Sequence, residues 1–142
     1  MTDLDAVRQL IARFANSFDL KDWAALGECL ADPVRTDYSD LRGTPPETMS
    51  RERFVDLRRS ALASLRTHHL AGNVDVTLHA NRGEATVSMV IYRRDAEDRT
   101  LDSHCVYTLG LTRADDRWRI DAIVQRVLWS DGQSSVHPGI VR

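Results

Sequence analysis

Two cysteines in 142 residues are too few for a disulfide framework, and Cys29 and Cys105 form no CxxC pair. Each sits in an apolar pattern, Cys29 in a helical one and Cys105 in a strand one, so two reduced, buried thiols are expected. Long hydrophobic runs are also missing. No stretch approaches the roughly 20 apolar residues that cross a bilayer, and the opening MTDLDAVRQLIARF has no uninterrupted apolar run behind a basic leader. A soluble, cytoplasmic chain with no membrane partner is the expectation. Nor does charge of one sign dominate: 19 basic against 21 acidic side chains leave a formal net charge of -2. The two signs are interspersed, which argues against nucleic acid as a partner.

Catalytic signatures are as scarce. The chain has no GxSxG, no GxGxxG and no phosphate-binding P-loop, which removes nucleophilic serine and nucleotide chemistry. Its five histidines show no HxH, HExxH or three-ligand spacing, so no metal and no other cofactor is expected. Internal repeats and low-complexity linkers are absent, and the length suits one domain over residues 1–142.

What the chain does contain is a change of period at its middle. Leu4, Val7, Leu10, Ile11, Phe14 and Phe18 recur at helical spacing behind a Thr2/Asp5 capping box. A second, shorter helix fits Asp22 to Leu30, with Asp22 as its cap and Trp23, Leu26 and Leu30 inward, before Asp32-Pro33. Val34 to Tyr38 alternates as a short strand, and Gly43 to Pro46 is a loop. Ser50 then caps a third helix with Phe54, Leu57, Ala61 and Leu65 on one side. From Thr67 the period is two. Strands are expected over Thr67 to Leu78, Ala85 to Tyr92, Leu101 to Leu111 and Trp118 to Trp129, with turns at Asn81-Arg82-Gly83, Asp95 to Asp98 and Ala114 to Asp116.

Helices followed by long strands argue an α+β fold, three helices gathered on one face of a curved sheet that leaves a mouth. Gly72 and Gly110 are the places where such strands could bulge and bend. The final segment, 130–142, with Gly132, Pro138 and Gly139, is a tail that is either loose or folded over that mouth. Ile123, Val127 and Trp129 alternate along the last strand. They are read as an outer face that needs cover, hence a homodimer.

The candidate chemistry lies in polar residues where a core would prefer carbon. Asp19 ends the first helix, where the partial negative charge of the terminal carbonyls would suit a cation better; it either faces water beside Lys21 or has a partner. His68 and His69 open the first long strand, and alternation lets only one of them face inward. His79 and His104 are weaker candidates of the same type. A carboxylate orienting an imidazole is the acid–base pair that these residues could form.

The segments Ser17-Phe18-Asp19-Leu20-Lys21-Asp22-Trp23, Asp37-Tyr38, Thr67-His68-His69-Leu70-Ala71-Gly72-Asn73 and Trp118-Arg119-Ile120, in this order and spacing over about residues 4 to 130, carry a resemblance. Together they resemble the scytalone dehydratase and SnoaL-like branch of the nuclear transport factor 2-like superfamily. The resemblance implies a cone-shaped barrel of three N-terminal helices on a strongly curved mixed sheet. It further implies that His69 is a general base held by Asp19, and that Tyr38 donates a hydrogen bond to a substrate carbonyl. The chain departs from the family pattern at Phe18, where a tyrosine is usual, and at Cys105 and Tyr107, where serine and asparagine align. His104 stands only loosely for a second catalytic histidine.

Phe14, Phe18, Asp37, Tyr38, His104, Cys105 and Tyr107 are therefore the candidate substrate contacts, for a small hydrophobic cyclic ligand. The implied activity is a lyase or isomerase acting α to a carbonyl of a cyclic or polyketide-like substrate. The alternatives are a non-catalytic ligand-binding or dimerisation module, and a cofactor-independent epoxide hydrolase using Asp37 as a second carboxylate.

Overall fold

Thr2 accepts a hydrogen bond from the backbone N–H of Asp5 at 3.1 Å, and the Asp5 carboxylate reaches back to the Thr2 N–H and hydroxyl at 3.4 and 2.7 Å. This capping box starts helix α1 (Asp3–Asp19), whose buried stripe is Val7, Leu10, Ile11, Phe14 and Phe18. In the computed structural model, which describes residues 1–140, α1 lies across the concave side of a six-stranded sheet. Helix α2 (Trp23–Glu28) is capped by Asp22, which accepts from the N–H of Ala25 at 3.1 Å. It ends sooner than the apolar pattern implies, because Leu30 opens strand β1 (Leu30–Asp37). Pro33 is tolerated in β1 because the pairing with the neighbouring strand is interrupted between Leu30 and Arg35, where no N–H is required.

The helix count is four rather than three. Asp37 bonds the N–H and hydroxyl of Ser39 at 3.1 and 2.6 Å and so starts a single turn, α3 (Ser39–Arg42), which Gly43 terminates with a left-handed φ of 74°. A four-residue turn leaves no periodic stripe, which is why sequence pattern misses it. Strand β2 (Glu47–Met49) pairs with β1, and Ser50 caps α4 (Arg51–Leu62) through the N–H of Arg53 at 3.1 Å. The inward face of α4 carries Phe54, Val55, Arg58 and Leu62. Leu57, expected inward, is partly exposed, because the face that packs against the sheet is rotated toward Arg58.

Strands β3 (Arg66–His79), β4 (Arg82–Arg94), β5 (Thr100–Ala114) and β6 (Arg117–Gly132) form an antiparallel meander. The sheet order is β2-β1-β6-β5-β4-β3, with β1 parallel to β6, so the sheet is mixed. Its ladder is interrupted between Gly72 and Asp75 and between Gly110 and Leu111, at both glycines where bends were expected. Gly110 has no room for a side chain: a Cβ there would stand 2.5 Å from Oδ1 of Asp121.

A further irregularity, between His104 and Cys105, decides which residues face outward. Cys105 pairs with Val127 and His104 with Trp129, leaving Leu128 as the extra residue on β6. Val127 and Trp129 are two apart in sequence, yet they point to opposite faces. Ile123 is fully buried in the core and Val127 packs against it, so these two do not form the outer surface that alternation had assigned them. The convex face instead carries Leu70, Val90, His104 and Trp129 in one row across β3, β4, β5 and β6, with Leu70 and Trp129 each 55% exposed.

β6 continues to Gly132, and a 3-10 turn at Ser134–Val136 follows, so the described part of segment 130–142 is folded, with Val136 and His137 buried. Residues 141–142 of the expected tail lie outside the described residues. No helix among the described residues is long and apolar enough to cross a membrane.

Candidate active site

The last turn of α1 holds no basic residue, so the Asp19 carboxylate meets a helix end of its own sign. Its donors come from β3. Oδ2 accepts the backbone N–H of His69 at 2.7 Å, and Oδ1 accepts the Thr67 hydroxyl at 2.9 Å. Oδ1 also lies 2.7 Å from Nδ1 of His69. An ionised carboxylate can only accept, so the short imidazole contact assigns the ring proton to Nδ1. The lone pair is then on Nε2, which makes no hydrogen bond among the described residues.

The side chains of His69 and Asp19 are 8% and 15% exposed. Burial pushes the His69 imidazole below its ordinary value, although the Asp19 hydrogen bond and charge oppose that shift. Phe18 stacks on the imidazole with centroids 4.8 Å apart and planes 20° apart, and Phe14 meets Phe18 edge-on at 5.1 Å. Phe18 thus supplies a dry wall where the family pattern would have a hydroxyl. His68 takes the opposite face and lies against Tyr92, so alternation along β3 settles which of the two histidines is internal.

Neighbouring strands extend the internal polar patch. His69 pairs with Ile91 and Ile91 with Ser103; one pair further on, Arg93 donates from Nη1 to Oγ of Ser103 at 2.8 Å. Nε2 of Gln125 donates to the Tyr107 hydroxyl at 3.0 Å, and Tyr107 meets Tyr38 edge-on at 6.4 Å. Burial pushes the Tyr107 hydroxyl up and the Cys105 thiol up to about 11, so both stay neutral at physiological pH. The guanidinium groups of Arg42 and Arg58 lie 4.4 and 4.7 Å from the centre of the Tyr38 ring.

Two candidates are elsewhere. His104 stacks on Trp129 at 4.4 Å on the convex face, because alternation along β5 turns Ser103 and Cys105 inward. Asp37 faces outward from β1, and its Ser39 hydrogen bonds hold its carboxyl below the usual range. The second carboxylate of an epoxide-hydrolase reading is therefore not beside His69. Trp118 is structural: its Nε1 donates to Asp3 at 3.1 Å and seals the far end of the sheet against α1.

Arg42, Arg58, Arg93, Gln125, Ser103 and His137 were missed as site residues. For four of them a signal existed in the pattern. Arg93 keeps the parity of Ala85, Val87, Met89 and Ile91, Ser103 that of Leu101 and Cys105, Gln125 that of Ile123 and Val127, and Arg58 follows Phe54 by four on α4. A polar residue in phase with an apolar stripe marks an internal polar site. A depression of about 680 Å³ along the outer side of α1, lined by Ala6, Leu10, Arg13, Cys29 and Trp118 among others, touches none of these residues.

The sequence model of the SnoaL-like domain matches residues 1–124. The chain belongs to the SnoaL-like family. It is 25% identical over 142 residues to the scytalone dehydratase-like protein AacuK of Aspergillus aculeatus, covering 91% of this chain and 81% of that one. Among solved structures, the Kfla4162 protein from Kribbella flavida superposes with a TM-score of 0.89 at 21% identity, covering 94% of this chain and 95% of the other. The LinA-type3 hexachlorocyclohexane dehydrochlorinase from Novosphingobium barchaimii LL02 superposes with a TM-score of 0.79 at 16% identity, covering 96% and 97%. The two solved structures share the fold, and dehydratase and dehydrochlorinase names occur among the proteins this chain is similar to.

Proposed function

We propose that the protein is a cofactor-independent lyase or isomerase in which Nε2 of His69 removes a proton α to a carbonyl of a cyclic substrate. The observation that carries this reading is the 2.7 Å contact between Nδ1 of His69 and a carboxylate held by two further donors. A neutral buried imidazole of fixed tautomer is a base at neutral pH, and Asp19 stabilises the imidazolium formed on proton transfer. The electron pair of the broken C–H bond moves toward the carbonyl, whose oxygen gains charge and accepts a hydrogen bond from Tyr38. In a dehydration the β-hydroxyl then leaves as water with the proton returned by His69; in an isomerisation that proton goes to a different carbon. The dehydratase names among relatives favour elimination, and a polyketide-like ring is the substrate class we propose from the sequence resemblance.

The test is turnover of cyclic hydroxyketones, followed by mass spectrometry for loss of one water or for an isomer. His69→Ala and Asp19→Asn should each slow conversion by roughly 10² to 10⁴. Unchanged turnover in His69→Ala would refute the mechanism. Tight binding with no conversion by the wild type would leave a binding module. We also propose a homodimer that covers the convex row containing Leu70 and Trp129; a monomer in sedimentation at micromolar concentration would exclude it.

A further inference from the structure

The proposed chemistry uses one carboxylate and one imidazole, and it leaves two buried cations, Arg58 and Arg93, and the half-buried Arg42 without a role. The geometry points to a subsite for an organic anion, a carboxylate carried on a flat ring, held by the guanidinium groups of Arg42, Arg58 and Arg93 next to His69. This inference deepens the lyase reading by naming its substrate class, and it rests on that reading only for where the ring would react.

Arg58 and Arg93 are each 4% exposed. Among the described residues, no carboxylate lies within ion-pair distance of Arg42, Arg58 or Arg93. Their contacts are neutral: Arg93 bonds the Ser103 hydroxyl, Arg42 and Arg58 lie over Tyr38, and Arg58 lies 4.4 Å from the centre of the Phe54 ring. Nε of Arg42 is buried with no hydrogen-bond acceptor, and Oε1 of Gln125 is buried with no donor. The acids in the vicinity are committed. Asp19 is saturated by His69 and Thr67, Asp40 accepts the Val127 N–H at 3.1 Å, and Asp102 lies on the alternate positions of β5 from the inward Ser103.

Three like charges close together in the interior repel one another, and contact with ring faces offsets only part of the cost of taking each ion out of water. The field of the cluster is evident in its neighbours. Arg42 is pushed down to about 10 by burial and by Arg58. His137 is pushed down to about 3 by burial and then by Arg93, Arg42 and Arg58. A carboxylate would relieve this repulsion and occupy Nε of Arg42, because the planar guanidinium fork matches two carboxylate oxygens. Tyr38, Tyr107 and Phe54 are the rings packed around the cluster, beside which a flat ligand ring would lie. The segment after the 3-10 turn lies against the cluster: a Cβ placed on Gly139 would stand 3.7 Å from Nε of Arg42.

The test is equilibrium binding, which needs no turnover. Benzoate and 2-naphthoate are titrated calorimetrically against the full chain beside their neutral isosteres, benzamide and 2-naphthamide. The expected result is at least tenfold tighter binding of acid than of amide for one ring size. Arg58→Gln and Arg93→Gln should each lose at least tenfold for the acid and less than twofold for the amide. Should either variant fail to fold by circular dichroism, Arg42→Gln, at a less buried position, carries the same expectation. Equal or undetectable binding of acid and amide at both ring sizes would overturn the subsite, as would acid selectivity that survives Arg42→Gln and Arg58→Gln. His69→Ala should keep the acid selectivity. Loss of the lyase reading would instead show as intact selectivity with no conversion of any carbonyl compound.

Discussion

The same three strands line a dry half and a wet half of the interior. Toward one end, β4, β5 and β6 present Ala85, Leu109, Leu111, Ile120 and Ile123, all fully buried. Toward the other, Arg93, Ser103, Tyr107 and Gln125 are just as buried but polar, set among apolar Met89, Ile91 and Cys105. Sheet geometry treats the two halves alike, so pairing does not explain the contrast. Burying apolar surface contributes stability at every position it occupies. Buried guanidinium and amide groups cost stability unless they are paired, and a chain keeps them where something other than folding is served.

The comparison breaks most visibly under truncation. Leu109→Ala in the dry half should cost about 2–5 kcal/mol of unfolding free energy, since the transfer loss and the cavity add. His69→Ala in the wet half should cost far less stability while carrying the larger loss of turnover. Urea unfolding of both variants beside the wild type checks this. Equal destabilisation would mean that His69 is core packing like Leu109.

Between pH 7 and 5, acid should weaken the protein through the wet half. His137 is pushed down to about 3, so below its ordinary value near 6.5 the unfolded chain takes up a proton that the native state refuses. Its contribution is present above pH 6.5 and lost as pH falls toward 3, with a slope of about 1.4 kcal/mol per pH unit. The depressed value of His69 acts in the same direction. Unfolding at pH 7, 6 and 5 should show this slope, and His137→Phe should flatten it. A stability independent of pH over that range would mean that neither histidine is held neutral.

The smallest effect sharpens the contrast. Gln125→Leu alone should cost about 1–3 kcal/mol, because it leaves the Tyr107 hydroxyl unpaired. Gln125→Leu with Tyr107→Phe should come within about 1 kcal/mol of the wild type or exceed it, since both partners are removed and the unpaired Oε1 goes with them. Thermal unfolding of the two variants distinguishes a polar pair kept for its ligand from one that stabilises the fold.

Much of the architecture was legible in the sequence because it is encoded locally. The Thr2/Asp5 box, the Asp22 and Ser50 caps, and the change from helical to alternating period each depend on residues within one or two turns. Asp19 and the His68/His69 pair were singled out from an acid at the wrong helix end and histidines at a strand start, and the family resemblance implied His69 of the two. What failed was parity over distance. One extra residue, Leu128, reverses which of Val127 and Trp129 faces the core. No composition or turn signal near Leu128 announced it.

Alone, then, the sequence determined the element types, the α+β class, the two glycine bends and the acid–base candidates, since each follows from backbone preference and short-range periodicity. Only the tertiary structure decided that His69 rather than His68 is internal and that Asp19 meets it at 2.7 Å. It alone brought Arg42, Arg58, Arg93 and His137, from α3, α4, β4 and the segment after the 3-10 turn, into one neighbourhood. The physical reason is that charge and hydrogen bonding at this site act across sequence separations of up to 95 residues, from Arg42 to His137, while the signals that can be read along a chain extend over fewer than ten or so.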